Sequence, residues 1–183
     1  GSPRNFISSV HNSMAGRLAA ELGISGCNLT FCDGPNSLAS ALVGCELLEE
    51  DNFPVLLVVI EERIPLLDTL SPHLTSCAPF LSGDWAEGAV AFLITHENGG
   101  PSLRATLPTP LNGRSPDTRC QELARKALAG SDYTLHSPQT TSQSAVAPAF
   151  CIQRLLIDDA KGEHAIGTFS PAAQSAALIK LCI

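Results

Sequence analysis

A layered α/β fold is predicted from three observations on the sequence. Short apolar segments of strand length, above all Pro54–Ile60, carry no polar alternation. Between them lie helix-length segments with apolar residues every three or four positions. The chain of 183 residues is 44% hydrophobic and 16% charged, enough to close a sizeable core in one domain, residues 1–183.

The elements follow in order. From Ser8 to near Gly23, Val10, Met14, Leu18 and Leu22 recur every fourth residue and predict one amphipathic helix with a buried stripe. Cys27–Cys32 reads as a short strand, followed by a sharp turn with Pro35, where Asn36 or Ser37 is suited to cap the next helix. That helix, Leu38–Leu48, places Leu38, Leu42, Cys45 and Leu48 on one face, and Ala39, Ala41 and Gly44 permit close packing. Pro54–Ile60 is apolar on both faces and predicts a central strand of a covered sheet. Glu61–Gly83, with Pro65, Pro72 and Pro79, reads as an irregular connection.

Glu87–Thr95 predicts a buried strand, Asn98-Gly99-Gly100 a turn and Ser102–Leu107 a further strand. Pro116–Gly130 predicts a helix stopped by its glycine. The Ser-, Thr-, Gln- and Pro-rich stretch Ser131–Pro148 reads as a loop or lid. Ile152–Ile157 and Ala176–Ile183 read as two last strands on either side of Lys161-Gly162.

Charge and composition exclude several classes of function. A net charge of -7 without any Lys/Arg run argues against nucleic acid and against an anionic membrane surface as partners. The longest apolar run, Val55–Ile60, is far short of the roughly 20 residues of a membrane span. No leader-like segment is visible, and the seven scattered cysteines contain no C-x-x-C; a reducing, cytoplasmic setting is expected. The spacing of Cys and His predicts no metal site, and the glycines form no dinucleotide or phosphate-binding fingerprint, so no cofactor is expected.

Four segments carry a family resemblance. Thr30–Leu48 followed by Pro54–Ile60 resembles the nucleophile elbow and next strand of the β-ketoacyl synthase family of the thiolase fold. Gly83–Leu93 resembles that family's Gly-Glu-Gly-Ala-Gly strand, and Gly167–Leu178 resembles its closing turn and strand. The opening Ser2–Gly16 is similar to a short branch found in aryl polyene gene clusters, whose members pair with an active ketosynthase as chain-length-factor-like subunits.

The resemblance implies a thiolase-like α/β/α sandwich with a mixed sheet. It also implies first strands ahead of Ser2 that this sequence lacks, so the domain is expected to be short or incomplete relative to a full ketosynthase. It implies a catalytically silent subunit in a heterodimer with a β-ketoacyl-ACP synthase, meeting the acyl carrier protein only indirectly. Aligned on the family's elbow, the nucleophilic cysteine falls on Gly34, which has no side chain, with Asp33 and Cys32 beside it. The family's dimer strand falls on Asn28, Leu29, Thr30 and Phe31, and Phe31, Phe80 and Leu81 become candidates for gating a partner's acyl tunnel.

Two other readings stand beside this one. Cys32, at a strand end before a helix N-terminus, is placed for a lowered thiol pKa and would serve an independent acyltransferase or condensing enzyme, with His11 or His164 as base. The third reading is an α/β interaction scaffold without any acyl role. Asp33 suits a helix cap, and Glu87 is expected to satisfy backbone groups at its strand start.

Overall fold

The computed structural model describes residues 12–62, 65–74, 87–97, 99–137 and 144–183. His11, Phe80 and Leu81 lie outside the described residues. The domain is α/β with a mixed sheet. Its order is α1 (Ser13–Leu22), a 3-10 turn (Gly34–Asn36), α2 (Ser37–Glu46), β1 (Val55–Glu61), α3 (Pro65–Leu74), β2 (Gly88–Ile94), β3 (Ser102–Ala105), β4 (Thr109–Pro110), α4 (Pro116–Ala127), β5 (Tyr133–His136), α5 (Ala147–Ile157), β6 (Glu163–Ser170) and β7 (Ser175–Cys182).

The larger sheet runs β3-β7-β6-β5, with β4 also on β7. β6 and β7 pair antiparallel from Glu163↔Cys182 to Ser170↔Ser175, and β5 lies parallel to β6. Alternation along the two central strands sends side chains to opposite layers. Ala165 and Leu178 meet Leu123, Ala124 and Leu128 of α4 and its C-terminal end. Ile166, Ala177, Ile179 and Leu181 turn the other way, into a cluster with Leu38, Ala39 and Leu42 of α2 and Ala149 and Ile152 of α5. Helices therefore cover both faces, and β6 and β7 are almost wholly buried.

Most of the helix predictions hold for local reasons. Gly23 ends α1 in the left-handed conformation (φ +67), as its lack of a Cβ allows. Ser115 caps α4 by accepting from the Thr118 N–H at 3.1 Å, with Pro116 at the first turn. Leu38, Ala39, Ala41 and Leu42 are buried on α2, as their spacing predicts. A Cβ at Gly44 would lie 2.7 Å from Phe31 Cζ, so the missing side chain lets this ring lie on the helix.

Several expectations are corrected. The α1 stripe is not buried: the helix has no buried residue, and Met14 and Leu22 are 59% and 58% exposed. Cys27–Cys32 forms no strand; it runs as exposed, irregular chain into the 3-10 turn. β1 is not central among the described strands, since it pairs only with β2, antiparallel from Val55↔Ile94 to Glu61↔Gly88. Its apolar character on both faces leaves one face open: Ile60 and Leu93 are 46% and 66% exposed, while Leu57, Val59 and Val90 are buried.

Glu61–Gly83 contains a helix, α3, despite Pro72 inside it. Ile152–Ile157 is the end of α5 rather than a strand. Ala149, Ile152 and Leu156 recur at helical spacing behind Pro148 in the first turn, and this period overrides the β-like composition of a six-residue run. The loop expected over Ser131–Pro148 contains β5, and residues 138–143 lie outside the described residues. β6 went unpredicted because Gly167 and the polar His164, Thr168 and Ser170 interrupt its apolar pattern, yet all four are buried in the sheet.

Candidate functional site

The elbow is built where the irregular segment after Cys27 turns into α2. Asp33 has extended-to-bridging backbone (φ -130, ψ 35), and Gly34 follows at φ +51. That left-handed angle costs an ordinary residue about 1 kcal/mol, and glycine nothing. Pro35 holds the first turn, the Asn36 N–H donates to the Asp33 carbonyl at 3.1 Å, and α2 begins at Ser37. The positive end of the α2 dipole therefore faces the Asp33-Gly34 step.

Asn36 ties this turn to the sheet. Its side chain is fully buried. Its Oδ1 accepts from Thr168 Oγ1 at 2.7 Å, and its Nδ2 donates to Ser175 Oγ at 3.0 Å and to the Ser175 carbonyl at 3.3 Å. The expected helix-capping role of Asn36 is thus replaced by a longer-range one: it makes no cap bond. Ser37 Oγ instead accepts from the Asp33 N–H at 2.8 Å. The Asp33 carboxyl does not cap either. Burial raises its pKa, opposed by a hydrogen bond from Ser40.

Above Gly34 the space is open to a side chain. A Cβ built there would have Ser170 Oγ, at 4.0 Å, as its only neighbour within contact range. The turn carries no side chain at Gly34. Cys32 is exposed, two residues earlier. Phe31 is 38% exposed and folds onto Gly44, while Leu29 is 56% exposed and Asn28 and Thr30 are also exposed. Glu87 is exposed at the start of β2; it is Glu61, unremarked in the sequence, that accepts from the Ala145 N–H and from Ser144 Oγ, joining β1 to the start of α5.

His164 is not brought to the elbow. It sits at the far end of β6 from Ser170, six residues and about 20 Å along the strand. A base there is out of reach of Cys32 or of position 34. Three other thiols, Cys45, Cys120 and Cys151, are held back from ionising. Burial raises the Cys45 and Cys151 pKa values and, with Asp117 nearby, pushes Cys120 up to about 12.

A small cavity of about 70 Å³ lies beside the elbow, between Pro35, the start of α5 and the Ile166–Phe169 stretch of β6. Ser144 and Cys151 line it. It is well below the several hundred Å³ of ordinary ligand pockets and offers no room for an acyl chain. Among the described residues no three or more His, Cys, Asp or Glu groups cluster for a metal, and no helix is long and apolar enough to cross a membrane.

Comparison with known proteins gives no further guide: no family model, curated protein or solved structure matches this chain.

Proposed function

We propose that this chain is a catalytically silent, ketosynthase-like subunit that completes an active β-ketoacyl-ACP synthase as a chain-length-factor-like partner in aryl polyene or related polyketide and fatty-acid-type synthesis. The observation that carries the reading is Gly34. It stands at φ +51 on a helix nose, where the resembling family has its nucleophile, with open space above it and no side chain. Thiol acylation has no acceptor there.

Surface character supports a partner. On the outer face of β1 and β2 the opposed pairs Leu56↔Leu93, Val58↔Ala91 and Ile60↔Ala89 are all apolar and leave Ile60 and Leu93 open to solvent. Together with the exposed α1 stripe and the Asn28–Phe31 segment, this is a large amount of apolar surface for a chain that works alone. A partner ketosynthase would cover it and carry the reactive cysteine and histidines. The acidic surface of this chain (net charge -7) leaves docking of an acidic carrier protein to the partner.

Co-expression with a candidate ketosynthase tests the reading. A stable heterodimer whose condensing activity depends on this chain is expected. A well-behaved monomer that never co-purifies favours the scaffold reading instead. Labelling with an acyl-thioester probe separates the enzyme reading: fast, selective modification at Cys32 that disappears in Cys32→Ser overturns the silent subunit.

A further inference from the structure

Two histidines meet on the sheet at its β5 edge, away from the elbow. His136 ends β5 and His164 opens β6. The parallel register opposes Thr134 to His164 and His136 to Ile166, which sets both imidazoles on one face, two residues apart along the ladder. His136 Nε2 and His164 Nδ1 are 3.2 Å apart, and the ring centroids 5.4 Å. His164 is buried; its other nitrogen, Nε2, lies 2.8 Å from the Ala160 carbonyl oxygen.

That carbonyl decides the tautomer. It only accepts, so His164 Nε2 carries the proton and Nδ1 holds a lone pair directed at His136. A backbone carbonyl behind one ring nitrogen fixes the tautomer and orientation of the imidazole, as it does in metal-binding histidines. The spacing also fits. Two nitrogens, each 2.0–2.1 Å from a common ion, are about 2.9 Å apart at a right angle and about 3.3 Å at the tetrahedral angle, and 3.2 Å lies between.

We infer that His136 Nε2 and His164 Nδ1 form a two-histidine chelate for a borderline-soft divalent cation such as Cu2+ or Zn2+. The ion takes the place of the proton that His136 Nε2 now donates to His164 Nδ1. His136 then carries its proton on Nδ1, so two neutral imidazoles bind without net proton release. No third His, Cys, Asp or Glu among the described residues joins the pair, and the remaining coordination positions would fall to water. Imidazole donors without a carboxylate select Cu2+, Zn2+ or Ni2+ over Mg2+ or Ca2+.

Titration with Cu2+ alone, in a non-coordinating buffer at pH 7.5 and after the exposed thiols of Cys27 and Cys32 have been alkylated, tests this. One equivalent is expected to bind tightly, with nitrogen splitting from two imidazoles in the electron paramagnetic resonance spectrum. His136→Gln changes a half-exposed side chain and should leave the fold intact by circular dichroism; it should weaken that equivalent by about tenfold or more and leave a single-nitrogen pattern. With Zn2+, 15N spectra of the imidazoles should move at His164 Nδ1 and His136 Nε2 and leave His73 and His96 unchanged. Copper binding that is the same in His136→Gln, or zinc shifts confined to other histidines, overturns the inference and leaves the pair a structural hydrogen bond.

Discussion

Asn36→Ala should be among the most destabilising single changes near the elbow. The substitution removes three hydrogen bonds, at 2.7, 3.0 and 3.3 Å, from a side chain with no solvent exposure. A net hydrogen bond contributes about 1 kcal/mol, and the longest of these counts least. Thr168 Oγ1 keeps a second acceptor, the Ala177 carbonyl at 3.5 Å, but the buried Ser175 hydroxyl loses its donor and a small cavity opens. The total is about 3 kcal/mol, which for a chain of this length lowers Tm by roughly 6–12 °C. Urea unfolding followed by circular dichroism measures it. A double-mutant cycle with Thr168→Val should return a coupling energy of about 1 kcal/mol. If Asn36→Ala lies within about 1 kcal/mol of the parent at an unchanged denaturant slope, the turn is not held to the sheet through this side chain and the reasoning fails.

Three further outcomes are expected. With iodoacetamide at pH 8, the exposed Cys27 and Cys32 should react, while Cys120, its thiol pushed up to about 12, should be modified only after unfolding; peptide mapping distinguishes them. His136 has a folded pKa below its unfolded value of 6.5, so the unfolded chain takes up its proton first: stability is full above about pH 6.5 and falls as pH drops toward the folded value. His136→Gln should flatten that acid limb in urea midpoints measured from pH 8 to pH 5. Gly44→Ala should push the Phe31 ring off α2, since the new Cβ would stand 2.7 Å from Cζ, at a cost of about 1 kcal/mol, and the displacement should appear in the aromatic NMR signals of Phe31.

Helices α2 and α4 were readable because a proline or serine at the start and a regular apolar face are local signals. β7 was readable because it is apolar apart from Ser175 and Lys180. Ile152–Ile157 misled because a six-residue apolar run has no period long enough to separate strand from helix. β6 was hidden because polar residues interrupt its apolar pattern, and the partner that lets Thr168 be buried, Asn36, lies 132 residues away. The Asn36 position itself looked like a helix cap, which is the local use of such a side chain.

The sequence by itself determined the α/β class, the turn at Gly34-Pro35 and the absence of a side chain at the elbow apex, because each is written in residue type and short-range spacing. Tertiary structure alone decided what faces what. It removed the strand expected before the elbow, uncovered one face of β1, separated His164 from Cys32 by most of a strand, and brought His164 to His136 instead. Those outcomes depend on strand order and register, which are settled by the burial of both faces of β6 and β7 between helices, and no local pattern encodes that choice.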